Sequence, residues 1–188
     1  VRLSQVVGGG QAGELGRFAD ASELLREAER IITPLYEAHP ENGAVARAMT
    51  QMLLEQSGAS LYADNEIETA RAQAARAAEI IEPYAREDAK AARAYIFAIR
   101  ALGDTQGWEE QFAAARDEHL RAEAFAASLT PALRDDPIVT GARAANMRLL
   151  GESYHRLGMP EPAREALDAS VAFNRAVRDS APHNPAFI

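Results

Sequence analysis

Residues 147–163 constrain the fold more than any other part of the chain. They read MRLLGESYHRLGMPEPA. Apolar residues return every three or four positions in the first part of this segment, as on one face of an α-helix: Met147, Leu150, Tyr154 and Leu157. Gly158 is expected to end the helix, because glycine takes the left-handed conformation without steric cost. A second helix is expected to begin at Pro160 or Pro162, since proline is tolerated in a first helical turn.

The second helix carries its own apolar stripe through Ala163, Leu167 and Ser170. Gly151 lies at the edge of the first stripe, and both Gly151 and Ala163 are small enough to let two helices cross closely. The segment therefore predicts a helical hairpin. One such pair cannot bury its apolar faces alone, so it is expected to stack on neighbouring pairs.

These residues resemble the tetratricopeptide repeat, whose pattern has an aromatic residue, Leu-Gly and Tyr on the first helix, and Ala and Phe on the second. The chain keeps Leu150-Gly151, Tyr154 and Ala163, and it has Met147 for the aromatic residue and Leu167 for the phenylalanine. The resemblance implies an all-α fold, namely a right-handed α-solenoid of about four helical hairpins. It also implies a role in protein–protein interaction.

Regular intervals extend the repeat over the chain. Four alanines mark equivalent points at intervals of 49, 45 and 48 residues: Ala21, Ala70, Ala115 and Ala163. A second register disagrees, because Pro34, Pro83 and Pro131 are spaced by 49 and 48 residues. That register would place Glu118, rather than Ala115, opposite Ala70. An extra turn or a longer loop at residues 103–107 is the expected cause.

Three first helices are predicted, at about 43–62, at about 88–102, and from just after Asp135-Asp136-Pro137 to Leu157. Gly58 is expected to hold the place of Gly151, and no segment has a strand pattern. The solenoid is predicted to be one domain over residues 1–188. The first residue is Val1 rather than Met, and residues 184–187 read like the start of another helix, so we expect a piece of a longer protein.

Composition excludes several classes of function. The formal net charge of −8 argues against nucleic acid as the main partner, because binding to phosphate backbones depends on a dense positive surface. No run of about twenty apolar residues occurs, so no membrane span is expected in this segment. The chain has no cysteine, which leaves the compartment undetermined, with the cytoplasm as the default.

No motif predicts catalysis. The pair Glu152 and His155 has the Glu-x-x-His spacing of di-iron bundles, but such sites need that motif twice and two further glutamates. The glycines at positions 8–10 lack the Lys-Ser/Thr of a P-loop. His119 lies on an apolar stripe and is expected to be a hydrogen-bonded core or boundary residue. We therefore expect no cofactor, no metal and no enzymatic activity, with a helical-bundle metalloenzyme as the distant alternative.

Two first helices carry polar residues on the side opposite the packed stripe. Arg93, Phe97 and Arg100 fall at i, i+4 and i+7. The corresponding residues of the next repeat are Arg148, Glu152 and His155, with Arg156 at the edge. An arginine fork binds carboxylates and an aromatic ring supplies contact area, so the pattern suits a partner with acidic groups.

By resemblance, the first helices line the concave surface of the solenoid, and these seven residues would bind a peptide or protein segment there. Three readings stay open beside this one. The face can be simply solvated, the array can be a peptide- or ligand-sensing regulatory domain of a signalling protein, or solenoid ends can associate into a homo-oligomer.

Overall fold

The computed structural model describes residues 18–180, with side chains from residue 23 onward. Within that part of the chain every regular element is helical and no strand occurs. Eight α-helices and one short 3₁₀ helix follow one another: α1 Phe18–Ala38, α2 Gly43–Tyr62, α3 Ile67–Ile81, the 3₁₀ helix Glu82–Tyr84, α4 Ala89–Trp108, α5 Phe112–Ala127, α6 Pro131–Arg134, α7 Pro137–Arg156 and α8 Pro160–Ser180.

The first helices begin at side-chain caps. Asn42 accepts hydrogen bonds from the backbone N–H groups of residues 44 and 45, and Asp88 from those of residues 90 and 91. Asp136 accepts from the N–H of residue 138, with Pro137 in the first turn. Such caps satisfy N–H groups that have no partner inside the helix. The recurrence of an Asn or Asp at the same point explains why α2, α4 and α7 start where they do.

The chain divides after Tyr84 into two compact units. In the first unit α2 packs between α1 and α3. The Ser57 hydroxyl donates to the carbonyl oxygen of Ala70 at 2.8 Å, and this short contact fixes where α2 and α3 cross. At the end of the unit, the Tyr84 hydroxyl donates to the carbonyl oxygen of Pro40 at 2.9 Å, while its ring lies against Gly43.

The second unit contains two hairpins, α4 with α5 and α7 with α8. Helix α7 also packs against both α4 and α5. A shift of 48 residues superimposes the pattern of one hairpin on the other. Tyr95 meets Phe125 edge to face at 4.7 Å between centroids, and at the shifted positions the guanidinium of Arg143 lies 4.3 Å from the Phe173 centroid.

The alanine register is the one that the helices follow. Ala70, Ala115 and Ala163 are all buried at the point where the second helix of a pair crosses the first. Pro34 lies inside α1, whereas Pro83 and Pro131 lie beyond the ends of their helices. Helix α5 has 16 residues where α3 has 15, and Pro131 lies four residues past the end of α5, whereas Pro83 lies two past the end of α3. The side chain of Ala21 lies outside the described residues.

Two expectations of detail are wrong. Of the two causes expected at residues 103–107, an extra turn or a longer loop, the loop is wrong, because α4 continues to Trp108 and the turn follows it, with Glu110 at φ 61°. Gly58 does not hold the place of Gly151: nothing lies within 4 Å of a Cβ built on Gly58, and Ser57 makes the crossing contact instead. In both cases the sequence pattern assigned a turn or a helix crossing to a glycine, and packing places that feature at other residues.

The final hairpin forms as the sequence predicts. Helix α7 ends at Arg156, Gly158 has φ 72°, and α8 begins at Pro160. A Cβ on Gly151 would lie 3.1 Å from the carbonyl oxygen of Ala163 and 2.8 Å from Leu167 Cγ, so this glycine allows the close crossing. Across residues 18–180, no helix has both the length and the apolar character of a membrane span.

Candidate interaction surface on helices α4 and α7

One face of α4 carries a continuous stripe of polar and aromatic side chains. Its members recur at i, i+4, i+7, i+11 and i+15, so they point to the same side of the helix: Arg93, Phe97, Arg100, Asp104 and Trp108. The opposite side is apolar and buried through Ala92, Ile96 and Ile99. Burial of that side against α5 and α7 is what turns the stripe outward.

Phe97 lies between two arginines of this stripe. The guanidinium carbon of Arg93 is 4.4 Å from the ring centroid, and that of Arg100 is 4.5 Å from it. These distances are those of cation–π contacts, which hold a guanidinium over the negative face of an aromatic ring. Phe97 is half-buried. The ring thereby restrains two long side chains that would otherwise sample many rotamers, and it keeps two positive charges close together.

Asp104 is the acidic member of the stripe. Its carboxylate oxygen Oδ2 lies 3.7 Å from Arg100 Nε, and only 14% of its side chain is exposed. Burial raises the pKa of the Asp104 carboxyl above its ordinary value, although the charges of Arg100 and Arg148 act in the opposite direction. Glu152 raises the pKa further by like-charge repulsion. The carboxylate thus lies within the electrostatic reach of charged groups on both α4 and α7.

Helix α7 repeats part of this pattern 48 residues later. Arg148 and Glu152 correspond to Arg100 and Asp104, and their charged atoms are 3.9 Å apart. Both side chains are more than 60% exposed, so this pair is weaker and freer to rearrange than the pair on α4. The structure therefore brings Arg93, Phe97 and Arg100 into contact on α4, and Arg148 of the neighbouring helix lies close enough to act electrostatically on Asp104.

The remaining predicted residues lie nearer the end of α7. Glu152 and His155 are exposed on its surface. Arg156 turns toward the start of α5, where its guanidinium lies 4.8 Å from the centroid of the Phe112 ring. This contact makes Arg156 a link between α7 and α5 as well as an edge residue of the face.

A buried polar pair, His119 and Asn146, joins α5 to α7 in the interior. His119 of α5 lies 2% exposed, and its Nδ1 is 3.2 Å from the side-chain oxygen of Asn146 on α7. The Asn146 amide nitrogen donates to the carbonyl oxygen of His119 at 2.8 Å, so the histidine proton belongs on Nδ1. Burial lowers the pKa of His119 to about 4, with the nearby charges of Arg100 and Arg148 acting in the same direction. The predicted hydrogen-bonded core histidine is confirmed.

The geometry gives no support to a metal site. Across residues 18–180, no group of three or more His, Asp or Glu side chains is placed to hold a metal ion. Glu152 and His155 share a helix face but gain no third ligand there. The glycines at positions 8–10 and His183 lie outside the described residues.

Asp104 and Trp108 belong to the same surface but were not predicted from the sequence. Both continue the stripe at the next helical positions after Arg100, and Trp108 is 47% exposed. They were missed because the helix was predicted to end at about residue 102, so helical periodicity was not followed beyond that point. Extending the i+4 spacing from Arg100 through the two glycines would have found them.

Comparison of the chain with protein-family models, with curated proteins and with solved structures finds no match. Support for any function therefore comes from the geometry of the chain itself.

Proposed function

We propose that the chain is a non-catalytic interaction module, and that the surface of α4 and α7 binds an extended peptide segment with acidic groups. The observation that carries the proposal is the placement of Phe97 between the guanidinium groups of Arg93 and Arg100. Arginine and aromatic residues together are the side chains that contribute most to protein–protein interfaces. We further propose that the hairpins stack as a right-handed solenoid similar to tetratricopeptide arrays.

Electrostatics favours an acidic partner over a basic one. The chain as a whole carries a formal charge of −8, yet this surface includes Arg93 and Arg100 on α4 and Arg148 on α7. Its acids are Asp104 and Glu152. Guanidinium groups bind carboxylates through two parallel hydrogen bonds, which gives both strength and orientation. Because much of the surface is exposed to solvent, the affinity is expected to fall as salt is added.

Restrained side chains favour binding as well. A peptide that binds flexible arginines must order them, at a cost of about 1 kcal/mol for each long side chain. The contacts of Arg93 and Arg100 with Phe97 already order both side chains in the free protein, which reduces this entropic cost. Phe97 itself offers apolar area for a side chain of the ligand between its charged groups.

The test uses a short acidic probe peptide, Gly-Leu-Glu-Leu-Gly-Glu-Leu-Gly, and a copy in which glutamine replaces both glutamates. Binding is measured by calorimetry and by the emission of Trp108, the single tryptophan of the chain, which lies on the same stripe. We expect the acidic peptide to bind more tightly than its glutamine copy. The double variant Arg93→Glu with Arg148→Glu should weaken binding of the acidic peptide by about tenfold or more.

The matched control is Arg164→Glu with Arg175→Glu, which makes the same change of charge at exposed positions of α8. This control should bind within about twofold of the unmodified chain, because screened charges elsewhere contribute little. Equal binding by both double variants, or equal binding of the acidic and glutamine peptides, would contradict the proposal.

A further inference from the structure

The ion pair between Arg100 and Asp104 has the features of a temporary contact rather than of a structural one. Its atoms are 3.7 Å apart, which is too long for a hydrogen bond. Arg100 Nε is buried and has no hydrogen-bond partner among the described residues. A buried donor without a partner costs free energy, and a largely buried carboxylate needs good hydrogen bonds to offset its desolvation. Neither group obtains them from the other.

From this geometry we infer that Asp104 is a specificity-determining residue that occupies Arg100 in the free protein and is displaced from it by a carboxylate of the ligand. The inference rests on the proposed function and deepens it. A ligand carboxylate approaching from solvent can meet the Arg100 guanidinium end-on, where two parallel hydrogen bonds form. Asp104, four residues along the same helix, reaches only the buried Nε edge.

The equivalent residue on α7 cannot perform this function to the same extent. Glu152 is 63% exposed, and its contact with Arg148 is 3.9 Å long. Solvent screens that pair and hydrates both of its members without the aid of a ligand. Arg148 is therefore available to a ligand at little cost, whereas Arg100 must be exchanged. On neighbouring helices, Arg148 can therefore bind a ligand carboxylate directly, whereas Arg100 can do so only after Asp104 is displaced.

This pairing specifies the class of ligand. Packed helices lie about 8–10 Å apart, and an extended chain advances about 3.3 Å per residue. Two carboxylates about three residues apart can therefore reach Arg148 and Arg100 together. A segment with one acidic group would use the open Arg148 and leave Asp104 in place. The surface should thus select paired acidic residues in an extended segment over isolated ones.

The test is Asp104→Asn, which keeps the shape of the side chain and removes its charge. We expect it to tighten binding of the acidic probe peptide by about threefold to tenfold. Glu152→Gln, the same change at the equivalent position of α7, should tighten binding by less than about twofold. Asp104→Glu retains the charge and should give no gain. Asp104→Ala serves as a second neutral variant if the asparagine disturbs folding.

The melting temperature separates this role from a structural one. Burial raises the pKa of Asp104, so the folded state disfavours its charge, and Asp104→Asn should melt at the same temperature or higher. A lower melting temperature together with unchanged or weaker binding would overturn the inference and leave the proposed function standing. Failure of the unmodified chain and of all variants to prefer the acidic peptide over its glutamine copy would overturn both.

Discussion

The ring of His119 lies directly against the backbone of Gly103. A Cβ atom built on Gly103 would lie 2.7 Å from His119 Cε1 and 3.0 Å from Nε2. The ring cannot move aside freely, because it is buried, Asn146 hydrogen-bonds its Nδ1, and a second hydrogen bond from Asn146 holds the His119 carbonyl oxygen. Gly103 is therefore the residue that lets α4 and α5 approach closely enough to bury the histidine.

Gly103→Ala is expected to destabilise the protein although alanine favours helices. Replacing a helical glycine with alanine gains about 1 kcal/mol in propensity, whereas overpacking a tight core costs about 1–3 kcal/mol. The expected net loss is up to about 2 kcal/mol in the free energy of unfolding, measured by chemical denaturation. Gly107→Ala on the same helix is the control, because its nearest neighbour would be the Ala115 Cβ at 4.0 Å. An equal or stabilising effect at both positions would contradict this account of the crossing.

His119 should make stability depend on pH. Its pKa is about 4 in the folded protein against an ordinary value of 6.5, so between these values the unfolded chain binds the extra proton. Stability is therefore expected to fall as the pH is lowered from 6.5 toward 4, by about 3 kcal/mol at most. His119→Gln, which stays neutral, should lose this part of the pH dependence in denaturation curves recorded across the range. A variant with the same slope as the unmodified protein would show that groups other than His119 cause it; the raised pKa of Asp104 acts in the opposite direction.

Arg143 should contribute more to stability than a surface arginine. It forms a two-pronged ion pair with Glu123 of α5, it covers the ring of Phe173 on α8, and its side chain is only 14% exposed. Arg143→Met keeps most of the apolar stem but leaves the Glu123 carboxylate without this partner, which should cost about 1–3 kcal/mol. Adding Glu123→Gln should recover part of the loss. A double-mutant cycle with no coupling energy would assign the effect of Arg143 to packing alone.

The N-terminal cap of α4 should contribute to the stability of the second unit. Asp88 accepts hydrogen bonds from the N–H groups of Lys90 and Ala91 at 2.8 and 2.9 Å. Asp88→Ala is expected to lower the free energy of unfolding by about 1 kcal/mol, whereas Asp88→Asn should lower it by much less, because asparagine caps as well. Equal losses for both variants would point to the charge at the helix end rather than to the cap.

Local periodicity and turn chemistry were enough to place most helices. The caps at Asn42, Asp88 and Asp136 and the turn at Gly158 act within a few residues, so their effect can be read directly from the sequence. The course of α4 could not be read in the same way. Glycines at 103 and 107 lower helix propensity, and only contact with α5, which the local pattern does not contain, keeps that segment helical.

The candidate surface, too, could be predicted from the sequence only in part. Helical spacing placed Arg93, Phe97 and Arg100 on one side of their helix, and it placed Arg148 at the corresponding position of the next one. It could not show that the two arginines of α4 stack on the ring between them, nor that Asp104 is drawn into their neighbourhood. Such contacts depend on rotamers and on burial, which packing decides.

The sequence by itself determined that the chain is helical, where most helices begin and end, and which side of each must be buried, because these properties follow from apolar spacing and from caps within one or two turns. Gly151 was also predicted at a helix crossing, whereas tertiary structure alone decided that Gly103 and Ser57 lie at crossings. It also decided that His119 is buried as a neutral partner of Asn146, and that Asp104 faces Arg100 with too little water to stabilise its charge. The physical reason is that close approach and desolvation are properties of two helices together, and neither helix encodes them alone.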